Sequence, residues 1–146
     1  MAVADRVDGG EQLAYAWQLM VKLGDLAHYR RLAKAAMREW GQPSEVTETV
    51  LHGVTELLSN VARHTDDPLC ILEITKSGPS IYVTVYDRSP DMPIVTLPEW
   101  SAESGRGLWL LREIAADFGY APDPGGKRVW VRVDTGAVRA PCGPQL

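Results

Sequence analysis

The segment ELLSNVARHT, residues 56–65, places a carboxylate, an amide and an imidazole at four-residue intervals: Glu56, Asn60 and His64. At about 100° per residue each step advances only about 40°, so on a helix the three form one sloping row. Around them Val50, Val54, Leu57, Leu58 and Val61 recur at the spacing of a single apolar stripe, and the polar row follows its margin. Two readings are open. In the first, Glu56 and His64 are solvated and Asn60 bonds locally. In the second, the Asn60 amide oxygen is a hard ligand suited to Mg²⁺ carrying a triphosphate, and Glu56, one turn earlier, orients or deprotonates a hydroxyl or a water.

Two other places could do chemistry. Asp87 ends an apolar run and opens a proline-rich segment; it is either a strand-ending turn residue or a carboxylate facing a cleft, where it would accept hydrogen bonds from a ligand amine. Buried without a donor it would cost several kcal/mol, so burial would imply a partner. Gly105 and Gly107 straddle Arg106 where a helix begins, so backbone N–H groups, the helix dipole and a guanidinium could meet phosphates there, or the glycines simply loosen a helix start. Other signatures fail. HGVTE is not a zinc-protease motif, no G-x-S-x-G or Walker loop occurs, and three histidines with two distant cysteines give no zinc spacing.

The elements that must position these residues follow from periodicity. Residues 14–22 read as a strand, and Asp25 can cap a helix over 26–40 that stops at Gly41. Ser44 can cap the second helix, which carries the Glu56 row. LCILEIT (69–75) and IYVTVYD (81–87) read as a hairpin joined by SGPS. Residues 88–104 hold three prolines and no period, hence a long loop of lid type. GRGLWLLREIAADFG (105–119) reads as a helix with Leu108, Leu111, Ile114, Ala115 and Phe118 on one side, and GG at 125–126 leads into a last strand, KRVWVRV. The expected fold is α+β: a two-layer sandwich with helices on one face of a mainly antiparallel mixed sheet. Residues 1–11 and 135–146 read as tails around a single domain at 12–134.

Composition narrows the class. With 146 residues, 45% apolar and 23% charged, the chain is an ordinary globular domain. A net charge of −4 without a basic stripe argues against direct nucleic-acid binding. No apolar leader or run of about 18 apolar residues is present, so a membrane role is not expected, and with two unpaired-looking cysteines a soluble, cytoplasmic protein is.

Taken in order, ELLSN, a strand ending in DRSPDMP, ESGRGLWLL and GGKRVWV resemble the ATP-binding domain shared by gyrase, Hsp90, histidine kinases and mismatch-repair ATPases, the Bergerat fold. The branch most similar is that of bacterial anti-sigma factors that are serine kinases, of actinobacterial type, over residues 14–133. This resemblance implies that Asn60 binds Mg²⁺ bridging the phosphates of ATP and that Glu56 serves as base. It implies that Arg63 and His64 lie near phosphate or ribose, that Asp87 bonds the adenine amino group, and that Gly105, Arg106, Gly107 and Leu108 form the phosphate-binding turn. It further implies a sigma factor and an anti-anti-sigma protein of the STAS type as partners, with a homodimer as in similar kinases. Two positions depart from the pattern. Ser89 and Asp91 stand where glycines are usual, and Arg128 stands where a Thr near the Asp–adenine contact is usual. The functions implied are therefore an ATP-dependent anti-sigma factor and serine/threonine kinase, or a non-catalytic partner-binding module with a degenerate or structural ATP site. Free-standing ATP hydrolysis is a third, disfavoured by the lack of a transducer domain.

Overall fold

Alternating apolar residues build the sheet and a 3.6-residue period builds its cover. The computed structural model describes residues 2–7, 12–64, 69–89 and 114–135. In chain order the elements are β1 (Ala2–Val7), β2 (Gln12–Met20), α1 (Leu26–Glu39), α2 (Ser44–His64), β3 (Leu69–Ser77), β4 (Ser80–Asp87), β5 (Asp117–Asp123) and β6 (Gly126–Asp134). The six strands form one sheet in the order β1-β2-β3-β4-β6-β5, and every described pairing is antiparallel. Both helices pack together and α2 lies on β3, β4 and β6, so the expected two-layer α+β sandwich is what forms.

The core lies between the layers. Val50, Val54, Leu57, Leu58 and Val61 of α2 meet Leu72, Ile74, Ile81, Val83, Val85, Val129 and Val131 of the sheet, all at 4% exposure or less. At Gly53 the helix comes so near that a Cβ would stand 3.0 Å from Val131 Cγ2, so the small residue sets the interlayer distance above β4 and β6. α1 adds Ala33, Ala36 and Met37, and ends in a Schellman motif: Gly41, at φ 68°, donates to the Arg38 carbonyl and Gln42 donates to that of Met37.

Local chemistry differs from expectation at four places. Asp25 precedes α1 but makes no side-chain capping bond, because a 3-10 turn at Leu23–Asp25 already leads into the helix. Ser44 is the first helical residue rather than the cap, the Thr47 N–H bonding to the Pro43 carbonyl. Ala2–Val7, read as part of a tail, pair with β2 as an edge strand. Asp117, Phe118 and Gly119, read as the end of a helix, open β5 instead. There Phe118 and Tyr120 stand opposite Val131 and Val129, and the Trp130 indole covers Gly119, where a Cβ would come within 2.2 Å of the ring. Pairing with β6 overrides the helical period.

The tight turns match their residues. Gly78 takes φ 57° ahead of Pro79 in the β3–β4 hairpin, and Gly125 takes φ 84° after Pro124 in the β5–β6 hairpin, each a glycine where φ must be positive. The expected lid, 88–104, lies outside the described residues beyond Ser89, as does the tail beyond Thr135. No helix among the described residues is long and apolar enough to cross a membrane.

Candidate nucleotide site

Strand alternation sends Ile81, Val83, Val85 and Asp87 of β4 to the helix-bearing face. Asp87, the last of that row, is therefore pointed inward, and its side chain is 1% exposed. A carboxylate so placed needs a donor. Lys127 supplies it. The β4–β6 register sets Asp87 opposite Lys127, which is buried to 3% and heads the inward row of Val129, Val131 and Val133. Its Nζ lies 3.0 Å from Asp87 Oδ2 and donates to Oδ1 at 3.1 Å, while the Ser89 N–H donates to Oδ1 at 2.9 Å in an Asx turn.

The surroundings hold this pair tightly. Gly126 runs so close to the end of β4 that a Cβ would fall 1.9 Å from the Asp87 carbonyl oxygen. On the other side, Cys70 of β3 is the cross-strand neighbour of Asp87, and burial, with a smaller contribution from the Asp87 charge, pushes its thiol up to about 12.

The second part of the site is the polar row of α2. Glu56 and Asn60 are half-buried on the helix that covers this face, flanked by the buried Leu57, Leu58 and Val61, and no described residue bonds to either side chain. Their neighbour Ser59 is spoken for, donating to the Thr55 carbonyl at 2.6 Å. One turn before Glu56 the row begins with His52, whose Nε2 is buried without a hydrogen-bond partner. Arg63 is exposed, and His64 is the final helical residue. The fold thus brings Glu56, Asn60 and Asp87 to the same side of the sheet. Gly105, Arg106, Gly107, Leu108 and Asp91 lie outside the described residues.

Arg128 needs a correction. Expected beside the carboxylate, it lies on the opposite face of the sheet, its guanidinium 5.2 Å from the centre of the Trp130 ring and across from Tyr86. The residue that sequence reasoning missed is Lys127, and its signal was available: a lysine heading the inward row of KRVWVRV requires a buried anion.

With this geometry in place, comparison with known proteins is decisive for the family. The model of the histidine kinase-like ATPase domain matches residues 19–133. The chain belongs to that family. No curated protein matches this histidine kinase-like domain. Among solved structures it is similar to the RsbU and RsbW domains of Rv1364c from Mycobacterium tuberculosis, with a TM-score of 0.60 at 12% identity over 82% of this chain. At that identity the likeness is one of fold, and the domain spans about a third, 32%, of that chain.

Family membership implies nucleotide binding, and the two ends of the site fit it unequally. Glu56 and Asn60 offer a carboxylate and a hard amide oxygen with no described partner, the donor types suited to a hydroxyl proton and to Mg²⁺. At the other end Asp87 is not a free acceptor. Its Oδ1 already accepts from the Ser89 N–H and from Lys127 Nζ, and its Oδ2 lies 3.0 Å from the same ammonium group.

Proposed function

We propose that this histidine kinase-like domain is an ATP-dependent regulator of the anti-sigma type, a cytoplasmic serine/threonine kinase that sequesters a sigma factor and phosphorylates a STAS-type antagonist. The observation that carries the reading is the pair Glu56 and Asn60, one turn apart on α2, half-buried beside a packed core and unclaimed by any described residue. Asn60 holds Mg²⁺ through its amide oxygen, and Glu56 accepts the proton of the antagonist's hydroxyl. ATP, when bound, supplies the transferable phosphoryl group. Arg63, His64 and the turn Gly105, Arg106, Gly107 and Leu108 are the residues proposed to contact phosphate and ribose.

The test is phosphotransfer itself. The protein, Mg²⁺ and ATP are incubated with candidate STAS proteins, and phosphoserine or phosphothreonine is read by intact mass. Wild type should modify its partner and Glu56→Ala should not; equal rates would overturn the catalytic role.

A second reading rests on the Lys127–Asp87 pair. A chain that neutralises its own base-reading carboxylate is also suited to act as a partner-binding module that performs no phosphotransfer. Partner binding unaffected by nucleotide, with no phosphorylated product, would favour it.

A further inference from the structure

We infer that Lys127 sets the nucleobase specificity of this site: by closing an ion pair on Asp87 it withdraws that carboxylate from reading an exocyclic amino group, so that a 6-oxo purine is accepted at least as well as adenine. The inference rests on the reading of the site as a nucleotide pocket and deepens it.

The chemistry is one of donors and acceptors. A free carboxylate is acceptor-only, so it selects a base edge that presents N–H and rejects one that presents a carbonyl, where two oxygens would face each other. Asp87 is not free. Oδ1 receives the Ser89 N–H at 2.9 Å and Nζ at 3.1 Å, and Oδ2 lies 3.0 Å from Nζ. Its charge is matched by an ammonium group buried with it.

Lys127 has no competing role. Its cross-strand position opposite Asp87 fixes the direction of the side chain, and alternation along β6 sends the neighbouring Arg128 to the other face, where it lies over Trp130. An ammonium group carries three protons, and the hydrogen bond to Oδ1 uses one while Oδ2 lies at 3.0 Å. A donor remaining at the base end suits a purine carbonyl. The close approach of Gly126 to the Asp87 backbone keeps the two strand ends in contact, so separating the pair means parting β4 from β6 at that end of their ladder.

The experiment is calorimetric titration of the wild-type chain, in Mg²⁺, with ATP, ITP, GTP and inorganic tripolyphosphate, followed by Lys127→Thr and Lys127→Arg with the same ligands after circular dichroism has verified folding. In wild type, ITP and GTP should bind within about fivefold of ATP, or more tightly. Lys127→Thr, which frees the carboxylate, should favour ATP over ITP by at least about tenfold. Lys127→Arg, which keeps a cation on Asp87, should retain the wild-type order. The wild-type series needs no variant to fold. A wild-type preference for ATP over ITP beyond about a hundredfold, with tripolyphosphate also binding, would overturn the inference and leave the nucleotide pocket standing. Binding of no ligand by wild type or Lys127→Thr would overturn both the pocket and the inference, whereas binding gained only in Lys127→Thr would overturn the inference, because the wild-type pair would then close the site to every base, and leave the pocket standing.

Discussion

Lys127 and Asp87 stand directly opposite each other on β6 and β4, forty residues apart in the chain, with their charged groups in contact and nearly excluded from solvent. Removing one partner strands the other charge. Asp87→Leu should lower stability by about 3–5 kcal/mol, as should Lys127→Met, while the two combined should cost much less than the sum. Denaturant unfolding of the two single variants and the double variant reads the coupling; additive losses would show that the pair does not act as a unit.

Glu56 and Asn60 should behave in the opposite way. With no described partner to lose, Glu56→Gln and Asn60→Ala should shift stability by no more than about 0.5 kcal/mol while abolishing phosphotransfer. Thermal melts run beside the kinase assay separate the two effects. A large drop in melting temperature would return both residues to a structural role.

Gly126 and Gly125 are adjacent but should respond differently to alanine. Gly125→Ala forces a side chain into φ 84° and should cost about 1–2 kcal/mol. Gly126→Ala drives a Cβ to within 1.9 Å of the Asp87 carbonyl oxygen, a backbone atom that cannot rotate away, and should cost more than the about 1–3 kcal/mol of ordinary overpacking. Urea midpoints at equal slope give the order, and the reverse order would contradict the β4–β6 approach.

Cys70 should be inert toward iodoacetamide in the folded protein near neutral pH. Burial, then the Asp87 carboxylate, raise its thiol from 9.0 to about 12, so the thiolate that reacts is scarce. The sign for stability follows. The unfolded chain releases this proton near 9 and the folded chain only near 12, so the Cys70 contribution is full below about 9 and declines as pH rises toward 12. Alkylation followed by mass, with and without denaturant, checks the first statement. Comparing the alkaline stability of wild type and Cys70→Ala checks the second.

Much of the architecture is local enough to read from the chain. The stripe from Val50 to Val61 makes a helix wherever it lies, Gly41 ends α1 because only glycine enters that φ cheaply, and the alternation of IYVTVYD makes a strand with Asp87 at its inward end. The order of four short motifs was enough to indicate the family, whose model matches residues 19–133. Phe118 and Gly119 were misread for a related reason: a short apolar run satisfies either period, and only the pairing of Phe118 with Val131 and the fit of Gly119 beneath Trp130 decide it.

The sequence by itself therefore determined α1, α2, β3, β4 and β6 and which polar residues lie along the margin of the core, since each depends on spacing within one segment. Tertiary structure decided which residue faces Asp87. In a strand a shift of one position moves a side chain to the other face of the sheet, and the choice between Lys127 and Arg128 is made by the β4–β6 register. That register follows from the packing of Val83 and Val85 with Val129 and Val131 beneath α2, which no single segment specifies.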